Sequence, residues 1–135
     1  MSSKKTIIHS KSKDNTTLSE CNIQIVPCKI DFNGKTSIDK HLNNYIMKEE
    51  NDILSTSFRG YPLRGKQIQL GEDITGVVFE RSLDESNNEV HLHPIKIFKE
   101  FKYWNWGKDP NHNDDIQKAL EYFEISEALH KPITE

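Results

Sequence analysis

A short stretch near the middle of the chain constrains the fold most. It ends a run of strand-forming residues with two Arg-Gly steps, one at Arg59 and Gly60 and the other at Arg64 and Gly65. Glycine permits a positive backbone φ or the close approach of another chain, and Pro62 fixes its own φ at a turn position. The spacing therefore predicts a tight corner from Gly60 to Gly65 that joins two strands. Both arginines are candidates for binding a carboxylate or a row of backbone carbonyls, with solvated turn arginines as the alternative.

The composition predicts a core with little apolar material. Hydrophobic residues make up 34% of the 135 positions, whereas roughly 45–50% is typical of globular domains when glycine is counted in. We therefore expect a thin core, or a core that a partner chain completes. The 18 basic and 21 acidic residues give a net charge of −3, which does not provide the broad basic surface that nonspecific nucleic-acid binding needs, although a local basic patch stays possible.

The low hydrophobicity of residues 1–19 predicts a mobile polar tail, although Ile7 and Ile8 also fit a short edge strand. We expect residues 20–135 to form a single domain. Neither a secretory segment nor an apolar membrane span is present in the sequence, and it contains only two cysteines. These features predict an intracellular protein with reduced thiols and no membrane contact.

Residues 22–33 alternate between apolar and polar side chains in two phases. The apolar residues before Pro27 share one face and those from Cys28 onward share the other, so a bulge or strand bend is expected between them. Cys28 is then predicted to be a small buried thiol rather than a nucleophile. Asn33 and Gly34 predict a turn of the hairpin type.

Residues 36–50 fit either a helix, with Thr36 and Asp39 as a capping box, or a short strand around residues 45–47. The rest of the pattern predicts, in chain order, strands at residues 53–58, 67–70 and 76–80, a polar loop at 81–94, and a C-terminal helical segment at 114–130.

Residues 95–106 carry the highest aromatic content of the chain. Phe101 and Tyr103 alternate onto one face of a strand, and Trp104 and Trp106 alternate onto the other, so both faces need cover. A strand that is buried on both sides belongs inside a closed or sandwiched β assembly. The interleaved lysines also fit a nucleic-acid surface on which exposed aromatic rings stack on bases, but core packing is the favoured interpretation.

The sequence predicts no catalytic or metal site. His91 and His93 are two residues apart, but a strong metal site needs three or four ligands, so solvated loop histidines are the favoured interpretation. Most carboxylates cluster in predicted turns, while Asp31 lies within a predicted strand. Because metal-dependent nucleases need carboxylates that converge in a pocket, we do not expect this chain to be an enzyme.

Several short motifs over residues 22–130 resemble the small non-catalytic C subunit of eukaryotic type 2 ribonuclease H. The Phe-Arg-Gly and Leu-Arg-Gly pair is the most specific of them. The motifs are Val26-Pro27-Cys28-Lys29-Ile30 with Asn33-Gly34, Ser57-Phe58-Arg59-Gly60 with Leu63-Arg64-Gly65, Trp106-Gly107, and the closing segment 125–130.

The resemblance implies a role in a nuclear heterotrimer that cleaves RNA in RNA/DNA hybrids and incises DNA at single embedded ribonucleotides. It implies that catalysis and the divalent metal belong to the A subunit, that this chain binds no cofactor, and that it pairs with the B subunit. The alternative is a free-standing small-barrel protein that binds nucleic acid.

The fold expected from the pattern and the resemblance together is mainly β. It is a small β-barrel intertwined with a partner subunit in a set of fused barrels, with a short C-terminal helical segment. The residues expected to define the fold or the partner interface are Pro27, Cys28, Phe58, Arg59, Gly60, Leu63, Arg64, Gly65, Trp104 and Trp106.

Overall fold

The structure is a computed structural model that describes residues 3–13 and 15–130. It is mainly β, with a C-terminal helix, as the sequence predicts. The strands are β1 (Lys5–Ile8), β2 (Ser19–Glu20), β3 (Ile23–Ile25), β4 (Met47–Lys48), β5 (Ile53–Phe58), β6 (Tyr61–Gln69), β7 (Gly76–Asp84), β8 (Glu89–Phe98) and β9 (Glu100–Trp106); the α-helices are α1 (Ile38–His41) and α2 (Asp115–His130), with 3-10 turns at Asn43–Tyr45 and Glu50–Asp52.

The described residues form two compact units. Unit 1 contains the described residues up to Val26 together with Gln67–Tyr103, and unit 2 contains Pro27–Lys66 together with the described residues from Trp104 onward. Strands β6 and β9 therefore contribute residues to both units. The expectation of a single domain over residues 20–135 stays a prediction.

Unit 1 is built around strand β8. Strand β7 pairs antiparallel along the whole of β8, with a register shift between Val78 and Phe79. Strands β1 and β2 pair in parallel with the beginning and the end of β8. In the same unit β9 pairs in parallel with β3, where Ile25 lies beside Tyr103. Val90, Pro94 and Tyr103 are buried in this unit.

Strand β1 bears on the two interpretations of residues 1–19. Lys5–Ile8 extend beside β8, so Ile7 and Ile8 lie in a short strand, which was the alternative to an unstructured segment. Residues 1, 2 and 14 of the predicted tail lie outside the described residues. Mobility of the tail stays a prediction.

Unit 2 contains an antiparallel set in which β5 lies between β4 and β6. Strand β5 has the predicted bounds. Its β-branched, hydroxyl and aromatic residues suit a half-buried pleated surface. The buried side chains of this unit are Leu42, Leu54, Leu63 and Trp104.

The predicted corner from Gly60 to Gly65 is wrong in its placement. The turn consists of Arg59 and Gly60 alone, both with positive φ, and β6 begins at Tyr61. Gly65 lies within β6, buried, opposite Leu54. Two residues with positive φ form the turn type whose twist matches that of the flanking strands, so no longer corner is needed.

The predicted polar loop at residues 81–94 is also wrong, because most of it is a β-hairpin. Strands β7 and β8 flank a turn at residues 85–88. The Asp84 carboxylate accepts hydrogen bonds from the backbone N–H and hydroxyl of Ser86, at 3.1 and 2.7 Å, and from the side-chain amide of Asn87, at 2.8 Å. These local hydrogen bonds close the turn. The same polar residues had suggested an open loop when only the sequence was considered.

Residues 36–50 contain both structures that the pattern allowed. The helix α1 is one turn long, and β4 follows it as a two-residue strand. The capping box is wrong: Ser37 is the N-cap residue and makes no side-chain capping bond, while the Asp39 carboxylate accepts from the Asn43 side chain at 2.6 Å.

Candidate partner interface

Arg64 lies on β6 and is held by two carboxylates within unit 2. Its Nη1 donates to Oε1 of Glu49 at 2.7 Å, and its Nε donates to Oδ1 of Asp109 at 2.6 Å. The hydrogen bond from Arg64, followed by one from Ser55, holds the pKa of Glu49 below its usual value, and the same contacts with Glu49 and Asp109 raise the pKa of Arg64. Arg64 was predicted to bind either a carboxylate or backbone carbonyls, and it binds carboxylates. It thereby links strand β6 to Glu49 and to Asp109.

Arg59 occupies the first position of the β5–β6 turn. Its backbone φ is 52° and that of Gly60 is 82°. The guanidinium carbon lies 5.6 Å from the ring centre of Phe58, and the Arg59 side chain is exposed. The structure thus separates the two arginines of the motif: Arg64 is engaged by this chain, and Arg59 is presented at the tip of a hairpin.

Pro27 and Cys28 lie at a bend directly after β3, as the change of phase predicts. The carbonyl oxygen of Pro27 accepts a hydrogen bond from the indole Nε1 of Trp106 at 2.6 Å. Cys28 is a free, exposed cysteine, so the prediction of a buried thiol is wrong. A buried position would require strand β3 to continue past Pro27, which lacks a backbone N–H for the ladder.

The segment after this bend exposes its apolar residues. Ile30 is 61% exposed and Phe32 is 62% exposed. Among the described residues no strand is assigned between Ile25 and α1, and Asn33 and Gly34 join no hairpin. The alternating pattern of an extended strand is present here without a neighbouring strand to pair with.

Two of the five aromatic side chains in the stretch on β8 and β9 are buried, and Phe98 and Phe101 are half-buried. Tyr103, in unit 1, and Trp104, in unit 2, are each 2% exposed, although successive residues of a strand point to opposite faces. The prediction of a strand buried on both faces is confirmed for these two residues. Trp106 is exposed, and its ring contacts that of Tyr61 edge to face with 5.7 Å between centres.

Helix α2 carries apolar side chains on two sides. Ile116 and Leu120, which share one side, are half-buried. Tyr122, Ile125 and Leu129 share another side at helical spacing, and Tyr122 and Leu129 are 74% and 77% exposed. A helix that is apolar on both sides is typical of one buried between two bodies. Only the structure shows that this second side is uncovered.

The prediction that His91 and His93 lie in a loop is wrong. His91 and His93 lie on strand β8 and not in a loop, and His9 lies beside them. The sequence could not indicate this third histidine, because 82 residues separate it from His91.

The described residues include no helix that is both long enough and apolar enough to cross a membrane. Comparison with known proteins gives one family. A family model described as "Ribonuclease H2 non-catalytic subunit (Ylr154p-like)" matches residues 22–91, which is more than half of the chain. No curated protein matches the chain significantly. The matched region contains both Arg-Gly steps, the Pro27 bend and the β5–β6 hairpin. The chain therefore belongs to the ribonuclease H2 non-catalytic subunit family.

Proposed function

We propose that this chain is the accessory subunit that pairs with the B subunit of ribonuclease H2 and supports its catalytic A subunit. The complex degrades RNA in RNA/DNA hybrids and incises DNA at single embedded ribonucleotides, in the nucleus, during DNA replication and repair. The carboxylates that hold the divalent metal of this reaction belong to the A subunit. The family match supports the accessory role, and the apolar surface of the chain supports the pairing.

The observation that carries this proposal is the imbalance between core and exposed apolar surface. Among the described residues six hydrophobic side chains are buried, whereas sixteen large hydrophobic side chains are exposed. Monomeric proteins rarely expose extended apolar patches, and obligate interfaces are the more hydrophobic class of protein interface. The low hydrophobic content of the sequence therefore does not by itself account for the thin core, because much of the apolar material lies on the surface.

Two elements supply this surface in ways that suit a permanent partner. The segment with Ile30 and Phe32 has the apolar alternation of a strand, and no strand among the described residues pairs with it, so a strand of the B subunit can do so by β-augmentation. Helix α2 offers its uncovered side, with Tyr122, Ile125 and Leu129, to a hydrophobic groove. Strands shared in this way would close the intertwined barrel expected for the family.

The alternative, a free-standing nucleic-acid-binding barrel, is less well supported. Tyr103 and Trp104 are buried and cannot stack on bases. The amines of Lys96 and Lys99 already donate to the hydroxyls of Ser19 and Thr75, both at 2.7 Å. A binder of this kind would be a stable monomer whose affinity for nucleic acid falls steeply with salt.

The test is co-purification of the full chain with the candidate A and B subunits, followed by size exclusion with light scattering. We expect a one-to-one-to-one complex with wild type. Ile125→Glu and Leu129→Glu place a charge on the uncovered side of α2, so we expect both to reduce assembly. Glu124→Gln changes the net charge by one unit in the opposite direction, on the polar side of that helix, and should assemble normally. A monodisperse folded monomer that ignores both subunits would refute the proposal and favour the nucleic-acid binder.

A further inference from the structure

Three histidine side chains from two strands meet on one face of the sheet in unit 1. His91 and His93 are alternate residues of β8, so their side chains point to the same side. In the parallel pairing of β1 with β8, Ile7 lies beside His91 and Ile8 beside Leu92. The backbone N–H of His9 donates to Leu92 O at 3.0 Å, which continues this register by one residue and brings His9 next to His93.

The imidazole rings are close enough for their nitrogens to share a ligand. The His9 and His93 rings are stacked with 4.2 Å between centres, and the His9 and His91 rings with 5.1 Å. Nε2 of His9 lies 2.8 Å from Nδ1 of His91. One nitrogen from each of the three rings lies within 4.8 Å of the other two. Tetrahedral zinc, with bonds of about 2.0–2.1 Å to nitrogen, separates its ligand nitrogens by roughly 3.3 Å, so small side-chain rotations would suffice.

The second nitrogen of His91 has a carboxylate partner. Nε2 of His91 lies 3.1 Å from Oε2 of Glu89. When this nitrogen carries the proton and donates to Glu89, the lone pair of Nδ1 faces Nε2 of His9, 2.8 Å away. A histidine that binds a metal through one nitrogen commonly donates the other N–H to a carboxylate, which fixes its tautomer and orientation. Glu89 is therefore positioned to orient the His91 ring in this way.

The surroundings also favour a cation. Glu80 and Asp84 on β7 lie opposite His93 and Glu89 in the antiparallel register, so their side chains share the face with the histidines. The carboxylates of Asp84 and Glu89 come within 4.8 Å of a His91 nitrogen and of each other. The positive charge of Lys13 acts on His93 in the opposite sense.

We propose that His9, His91 and His93 form a binding site for a divalent transition metal ion of the zinc class. Imidazole nitrogen is a preferred ligand for Zn²⁺ and Co²⁺, and three imidazoles leave a fourth position for water or another oxygen ligand. This differs from the expectation that the chain holds no metal. The ion would tie β1 to β8, and so hold the N-terminal strand in place. The residues of this site belong to unit 1, whereas Ile30, Phe32 and α2 belong to unit 2.

The test is titration of the metal-free full chain with Co²⁺, followed by displacement with Zn²⁺. We expect one ion per chain and a visible absorption spectrum of Co²⁺ with imidazole ligands. His9→Ala and His93→Ala should each abolish the spectrum, and Glu89→Gln should weaken binding by about 10–100-fold because it removes only the orienting group. His112→Ala is the control, because this exposed histidine lies outside the cluster, and it should bind as wild type does.

A second measurement does not depend on the stability of the variants. In wild type, Zn²⁺ should slow hydrogen exchange of the His9 amide, which donates to Leu92 O, and of the Lys5 amide, which donates to Asn88 O. His9→Gln should lose this protection. If the chain is prepared with other subunits, each variant is compared with wild type in the same complex. Metal bound by the other subunits then contributes equally to both measurements. Failure of wild type to bind an ion, or equal binding by wild type and by the His9 and His93 variants, would overturn the proposal.

Discussion

The indole N–H of Trp106 donates a hydrogen bond to the backbone carbonyl of Pro27, with 2.6 Å between nitrogen and oxygen and 79 residues between the two positions. This bond fixes the bend after β3 to the end of β9 within unit 2. It also gives the exposed tryptophan a structural role, because the ring lies at the surface while its one polar atom is used internally.

We expect Trp106→Phe to destabilise the chain by about 0.5–1.5 kcal/mol, the usual contribution of one hydrogen bond. Phenylalanine keeps an aromatic ring near Tyr61 but leaves the Pro27 carbonyl without its donor. The free energy of unfolding in urea measures the effect. Tyr122→Phe, which trims a polar atom from an exposed ring, is the control and should leave the free energy unchanged; an equally small effect of both would mean that the indole bond contributes nothing.

The β5–β6 turn predicts opposite effects at its two residues. Gly60→Ala should lower the free energy of unfolding by about 1 kcal/mol, since an alanine at φ 82° is strained although no atom lies within 4 Å of the added methyl group. Arg59→Asn should raise it, by up to about 1 kcal/mol, because asparagine tolerates positive φ better than arginine. Thermal unfolding of both variants tests the turn assignment, and a stabilising Gly60→Ala would contradict it.

Substitutions of Leu63 and Leu129 distinguish the contribution of the core from that of the partner surface. Leu63 is 1% exposed, and we expect Leu63→Ala to cost about 2–5 kcal/mol through lost burial and a residual cavity. Leu129→Ala should leave the unfolding of the chain nearly unchanged, because that side chain is exposed, but it should weaken assembly with the other subunits. Urea unfolding and size exclusion measure the two effects. Loss of stability with Leu129→Ala in the isolated chain would show that this side of α2 also packs on the chain itself.

The Arg64 cluster predicts a pH-dependent contribution to stability. The folded state lowers the pKa of Glu49 below its ordinary value of 4.5. The unfolded state therefore binds the proton more tightly, so this contribution is present above the ordinary pKa and is lost as the pH falls through the lowered pKa of the folded state.

We accordingly expect Arg64→Gln to be less stable than wild type at neutral pH, with the difference shrinking in acid below the ordinary pKa of Glu49. Urea unfolding of both proteins across this range is the measurement. Lys48→Gln serves as the control, since Lys48 forms a largely exposed ion pair with Asp52 at 3.3 Å, and such pairs contribute little. A difference between wild type and Arg64→Gln that is constant with pH would exclude the carboxylates as its cause.

Elements that depend on local signals could be predicted from the sequence. Strand β5 has the expected bounds, and α2 begins one residue after the expected start. The helical spacing and the run of strand-forming residues are properties of neighbouring positions, so one sequence suffices to find them. The hairpin at residues 85–88 was missed, because polar residues that bind their own backbone look like those of an open loop.

Features that depend on distant residues could not be predicted. The two carboxylates on Arg64 come from positions 15 and 45 residues away, and His9 meets His91 through a parallel pairing across the chain. Cys28 was expected on a buried face because its spacing from Ile30 and Phe32 is that of a strand. Periodicity identifies residues that suit burial, but it does not say whether this chain or another one covers them.

The exposed apolar side of α2 has a consequence for the life of the protein in a cell. A newly made chain that shows Ile125 and Leu129 to solvent presents the kind of surface that chaperones hold and quality-control proteases recognise. Chains that assemble with their partners cover this surface and avoid degradation, whereas surplus chains do not. We therefore expect the steady-state amount of this protein to follow the supply of its partners rather than the level of its own messenger RNA.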